Sequence, residues 1–158
     1  ALWAYSKATA SGGGCFTCGI HDTKKFKESG RFQIPPDRYE ANLRAIVHRI
    51  RDETDAVVLF ATTTPILDDR AARIRSDRDY ELLGESGEQY NRIAHRVMKE
   101  LDVPVNDLHA MLVNVDPPTS IETLIGEDGV HLVPEGQKLA GETVAEFVRE
   151  HLLTESAD

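Results

Sequence analysis

Ala56-Val57-Val58-Leu59-Phe60-Ala61, running directly into Thr62-Thr63-Thr64-Pro65, decides the fold of this 158-residue chain. An unbroken apolar run rich in β-branched residues suits a strand buried on both faces, and such strands belong to parallel sheets covered by crossover helices. Pro65 ends it, because its ring removes a backbone donor. The flanking patterns are helical. Asp37 can cap a helix over 37–53, where Tyr39, Leu43, Ile46, Val47 and Ile50 recur at helical spacing. A second helix is predicted over 86–101, with Tyr90, Ile93, Ala94, Val97, Met98 and Leu101 on its buried stripe. A short strand at 103–106 and a short helix at 107–112 follow, then an apolar stretch at 121–125. The last helix opens at Pro134-Glu135 and carries Leu139, Ala140, Val144, Phe147, Val148 and Leu152. Helices alternating with short β-rich runs predict an α/β layered domain. Pro65 begins a long polar connection running through about Leu83, a functional lid or a mobile loop.

The length suits one domain that buries about two thirds of the surface of its unfolded chain. With 41% hydrophobic and 28% charged residues, the composition is that of a soluble globular protein, and no apolar run approaches the roughly 20 residues of a membrane span. A net charge of -9 and a pI near 5.1 argue against a nucleic-acid partner, since phosphate backbones are bound by concentrated Lys and Arg. Arg70, Arg73, Arg75 and Arg78 are a local exception. They alternate with Asp68, Asp69, Asp77 and Asp79 and read as a solvated, self-neutralising face. The chain starts at Ala1 with no basic-then-apolar signal architecture, and Ala8-Thr9-Ala10-Ser11-Gly12-Gly13-Gly14 resembles a linker. An irregular segment over 1–14 is therefore expected before a domain over 15–153.

Cys15 and Cys18 form a CxxC, but Cys15-Phe16-Thr17-Cys18 looks like a strand end, where residues three apart point to opposite faces. Redox or metal use is not the expectation, and two cysteines do not fix a compartment. More informative is Asp128-Gly129-Val130-His131, which holds a carboxylate and an imidazole three residues apart on the loop entering the last helix. A carboxylate that holds one ring nitrogen leaves the other poised as a general base. If Cys15 to Cys18 closes a strand, Gly19-Ile20-His21-Asp22 lies with that loop outside the carboxyl ends of the sheet, where α/β proteins gather ligands.

These pieces together resemble the SGNH (GDSL-type) hydrolases, esterases and lipases with a three-layer α/β/α flavodoxin-like fold. The resemblance runs from about Phe16 to His151. It rests on Gly19-Ile20-His21-Asp22 against the family's Gly-x-Asn-Asp block, on Leu59 to Pro65, on Tyr90-Asn91, on Val103-Pro104-Val105-Asn106-Asp107-Leu108, and on Asp128 to His131 against the terminal DxxH block. It implies His131 as general base and Asp128 as its orienting acid, with Gly19 and His21 as oxyanion donors. His21 replaces the family's asparagine; a related subgroup carries Gly-Leu-His-Asp there. Asp22 is expected to brace the oxyanion loop by accepting backbone N–H bonds, Asn91 to order a neighbouring loop, and Thr63 either to line the substrate edge or simply to end the strand. The resemblance implies no cofactor and no metal.

The front of the chain departs from the family. The Gly-Asp-Ser block that carries the nucleophile is missing, and so is a second glycine-donor block. Ser6 and Ser11, the serines ahead of Gly19, stand in other contexts. Of the family's five parallel strands only the end of the third, the fourth and the fifth are recognisable, so the fold is expected to be incomplete at its N-terminus, with unpaired backbone and an apolar face exposed. The leading expectation is a serine ester hydrolase, with carbohydrate acetyl esters as one substrate class, whose nucleophile this chain lacks. A non-catalytic module holding a glycan or small carboxylate is the alternative. A third is a metal-dependent hydrolase built on His21, Asp22, Asp128 and His131. The sequence leaves the oligomeric state open.

Overall fold

The computed structural model describes residues 14–153. Ser6, Ser11 and the linker-like residues 8–13 lie outside the described residues. Gly14, grouped with that linker in the sequence, instead opens a strand. In chain order the elements are β1 (Gly14–Thr17), β2 (Lys25–Phe26), α1 (Pro36–Glu53), β3 (Val58–Ala61), α2 (Asp68–Ile74), β4 (Tyr80–Glu81), α3 (Gly84–Glu100), β5 (Val105–Asn106), α4 (Leu108–Val113), α5 (Ile121–Leu124) and α6 (Pro134–Leu153).

β1, β3 and β5 form a parallel sheet in the order β1-β3-β5, with Gly14 opposite Val58 and Phe60 opposite Val105. β3 is central and buried along its whole length, as a two-faced apolar run requires. Strand alternation sorts the side chains. Phe16, Val58 and Phe60 face one layer, where Tyr39, Leu43 and Val47 of α1 meet Tyr90, Ala94, Val97 and Met98 of α3. Cys15 and Ala61 face the other, under Leu108 of α4 and Ala140 and Val144 of α6. Each fully buried Leu, Val, Phe or Met contributes about 1.5–3 kcal/mol over its exposed state, so the α1/α3 layer dominates the core. Phe16 stacks edge-on against Phe60 with ring centroids 5.1 Å apart.

Two expectations change. Asp37 sits within the first turn of α1, whose N-cap is Pro35 and lacks a side-chain cap. Residues 65–83 are not an unstructured connection: they hold α2 and β4, and β4 pairs antiparallel with β2 through Lys25–Glu81 and Phe26–Tyr80. The charged sequence of α2 hides it, since only Ala71 of the helix is buried.

β1 has a strand neighbour on one side only among the described residues. Along its open edge and against α1 runs a groove of about 500 Å³ lined by Phe16, Leu43, Ile46, Ile50 and Val57 among others. None of Gly19, His21, Asp128 or His131 lines this groove.

Candidate active site

The loop after β1 is shaped by its backbone. Gly19 has φ +145, a conformation that side-chain-bearing residues rarely adopt, and its carbonyl accepts from the Thr23 N–H at 3.0 Å. Thr23, wholly buried, donates its hydroxyl to the Ile20 carbonyl at 2.9 Å. Thr23 therefore performs the bracing expected of Asp22. Among the described residues no N–H donates to the Asp22 carboxylate, which borders the apolar groove and is pushed up in pKa by burial against the opposing pull of His21. The Gly19 N–H has no partner among the described residues.

Beneath this loop stands Thr63, two residues beyond β3. Its Cβ and Cγ2 lie 3.4 Å from where a Cβ on Gly19 would be. Thr63 is buried, so it supports the glycine from below instead of lining an open substrate edge. Asn91 of α3 fixes it in turn, accepting from the Thr63 N–H and donating to the Thr63 carbonyl, both at 3.0 Å.

Asp128 and His131 are joined within one tight turn. Asp128 Oδ1 accepts the backbone N–H of Val130 and of His131, each at 3.0 Å, and Oδ2 meets His131 Nδ1. Burial works against the charged carboxylate but is outweighed by the His131 ring, these two N–H donors and the imidazole charge, which together hold Asp128 down at about 2. It is thus ionised at neutral pH and fixes Nδ1–H on the ring. The His131 side chain is 83% exposed, and among the described residues its ring bonds to Asp128 alone, which leaves Nε2 open.

A pH dependence follows. The folded pKa of Asp128 lies below its ordinary 3.8, so its contribution to stability is complete above 3.8 and is lost as pH falls through about 2. Unfolding free energies of the wild type and Asp128→Asn, measured by urea against pH, should converge as pH falls through that window, and parallel curves would show that the turn does not depend on the carboxylate.

The two loops meet. Ile20 packs into a small apolar cluster with Ile66, Ala71, Leu82 and Val130, which places the neighbours of His21 and His131 on one shared floor. His21 is held below its ordinary pKa by burial first, then by Lys24, with Asp22 opposing and His131 close enough to add to the depression. A neutral His21 ring donates one N–H, as an oxyanion donor must. Among the described residues no three His, Cys, Asp or Glu side chains are grouped so that they could hold a metal ion. Cys15 and Cys18 pack on opposite faces of the sheet, and burial pushes both thiols up to about 11; the Tyr39 hydroxyl, 3.9 Å from Cys18 Sγ, only partly offsets this.

Solved structures share this architecture. A lipase/acylhydrolase from Enterococcus faecalis superposes with a TM-score of 0.64 at 22% identity, covering 87% of the chain and 60% of that structure. An acetylxylan esterase from Geobacillus stearothermophilus gives 0.63 at 19% identity, covering 85% and 57%. A GDSL-like lipase from Bacteroides thetaiotaomicron gives 0.62 at 12%, covering 87% and 62%. The chain has the fold of the GDSL-like hydrolases. It spans about 60% of the length of these structures. No protein-family model and no curated protein sequence matches it.

Against the GDSL-like hydrolase fold, sequence reasoning missed a second imidazole–carboxylate pair. His95 Nε2 lies 3.0 Å from Asp107 Oδ2, while Asp107 Oδ1 accepts from the Thr62 hydroxyl at 3.1 Å and caps α4 through the Ala110 N–H at 2.9 Å. Its signal was Asp107 at an N-cap position with His95 one helix upstream. This pair ties α3, β3 and α4 together. Among the described residues no helix is long and apolar enough to cross a membrane.

Proposed function

We propose that residues 15–153 form one SGNH-type domain carrying the general base and orienting acid of an ester hydrolase, with carbohydrate acetyl esters as the favoured substrate class. The observation that supports this most is the Asp128–His131 contact, with Nδ1 held by an ionised carboxylate and Nε2 open to solvent. Acetylxylan esterases among the similar folds support the substrate class.

In this reading a serine hydroxyl attacks the ester carbonyl while His131 Nε2 takes its proton. Asp128 stabilises the imidazolium that forms. The negative charge developing on the carbonyl oxygen is met by the Gly19 N–H and the neutral His21 ring. His131 then returns the proton to the departing alcohol, and water attacks the acyl-serine with His131 again as base. Among the described residues no serine bonds to His131, so the chain alone is expected to turn over p-nitrophenyl acetate negligibly and to resist fluorophosphonate. Activity of the isolated chain that His131→Ala abolishes would overturn the missing nucleophile. An apolar strand ending in Gly-Asp-Ser, supplied ahead of Gly14, tests the base: turnover that His131→Ala removes supports the esterase.

That absence of a nucleophile beside His131 favours one second reading, a non-catalytic module that holds a glycan at the same edge. Glycan binding that persists when no serine-bearing strand restores turnover would select it.

A further inference from the structure

The arginine-rich stretch is a solvated face only in part: Arg73 and Arg78 are exposed, whereas Arg70 of α2 and Arg75 just after it are half-buried against backbone carbonyls. Arg70 Nη1 donates to the carbonyls of Ile125 at 2.6 Å and Glu122 at 2.9 Å at the end of α5, with that of Gly126, which also accepts from the Gly129 N–H, at 3.4 Å. Arg75 Nη1 donates to the Asp128 carbonyl at 2.7 Å and to that of Ala71 at 3.3 Å. Arg73 reaches Glu127 at 2.8 Å, but both side chains are mostly exposed, and such pairs contribute little. The Leu67 N–H donates to the Gly129 carbonyl at 2.9 Å, and a Cβ on Gly129 would lie 2.5 Å from the Ala71 nitrogen. The dyad loop is thus seated on α2 along its length.

The other side of the same segment is fixed to the oxyanion loop. Lys27, just after β2, donates through Nζ to the carbonyls of Arg75 and Ser76, both at 3.3 Å. The β2–β4 ladder anchors the chain that follows Asp22 to the chain that follows α2. Between the two attachments lies the cluster of Ile20, Ile66, Ala71, Leu82 and Val130. One rigid piece therefore touches both loops that the proposed chemistry needs.

We propose that residues 66–82 are the template setting the separation of the dyad from the oxyanion loop, with Arg75 and Arg70 as positioning residues for His131. Arg75 acts through the Asp128 main chain: its guanidinium fixes the carbonyl of the residue whose side chain fixes the ring. The inference rests on the Asp128–His131 pair as a working unit, yet its test reads loop geometry and needs no turnover.

Free neutral imidazole favours the Nε2–H tautomer, whereas the Asp128 contact demands Nδ1–H. Long-range ¹H–¹⁵N correlation at a pH where the ring is neutral reports the ratio directly. Arg75→Ala should move His131 towards Nε2–H and raise amide exchange at Val130 and His131 by about tenfold as the turn loosens. Arg75→Lys, a single donor without the planar fork, should fall between it and the wild type. Arg92→Ala, which removes an exposed pair with Glu88 on α3, should change neither. Wild-type tautomer and exchange retained in Arg75→Ala, or in Arg75→Lys should the alanine variant not fold, would overturn the proposal. An Nε2–H tautomer in the wild type would instead count against the catalytic reading, and the exchange rates would still decide the template.

Discussion

Gly129→Ala should lower the unfolding free energy by about 3 kcal/mol, from a left-handed penalty of about 1–2 kcal/mol and an overpacking cost of about 1–3 kcal/mol. The two contributions have separate origins in the structure. Gly129 has φ +76, and its missing Cβ would stand 2.5 Å from the Ala71 nitrogen and 2.7 Å from the Leu67 carbonyl oxygen. Both are backbone atoms, so no side-chain rotamer relieves the clash, and the dyad loop must lift from α2. Gly30 separates the contributions: it has φ +64, but a Cβ there would meet nothing within 4 Å, so Gly30→Ala should cost only the conformational part, about 1 kcal/mol. Urea midpoints for the two variants give the comparison. Equal losses would mean that the loop is not seated on the helix.

Replacing Asn91 by Leu, of nearly the same shape, should cost about 2–5 kcal/mol, because it strands two buried backbone groups at once. The Thr63 N–H and carbonyl both spend their hydrogen bonds on Asn91, and both residues are buried, so water cannot readily take its place. The damage should also travel upward. Thr63 carries Gly19 on its side chain, and loosening it should speed amide exchange at Thr63 and through residues 19–23. A loss below about 1 kcal/mol with unchanged exchange would show that the bond is replaceable.

How much of this was legible depended on range. β3 announced itself because a strand buried on both faces needs an unbroken apolar run. The Asp128–His131 unit was legible because an aspartate turn closes within three residues. The helices α1, α3 and α6 carried their stripes openly. What escaped was held by contacts between distant segments. α2 has almost no apolar stripe, and Arg70 and Arg75 looked solvated like Arg73 because they reach the carbonyls of Ile125 and Asp128 more than fifty residues away, which no side-chain pattern records. The available sign was charge order: Asp68 and Asp69 in the first turn and Arg73 in the last complement a helix dipole. Thr23 and Asp22 were exchanged for a similar reason. Adjacent short polar residues in a turn are equivalent in sequence, and only the fold decides which one points inward. Asn91 was readable as a loop-orderer because it interrupts an otherwise apolar helix face.

The parallel register has a consequence for how the chain reaches this state. Gly14 meets Val58 and Phe60 meets Val105, so every pairing in the main sheet closes a loop holding at least one whole helix. Loop-closure entropy must be met before these pairings return anything. The local pieces, α1, α3, α6 and the Asp128 turn, cost little to form and can exist early. The sheet comes together late, around β3, and until then Phe16 and Phe60 have no lasting partners. The slow step of folding should therefore be the docking of β1 and β5 onto β3, and substitutions in β3 should slow folding while those on the outer face of α6 chiefly hasten unfolding.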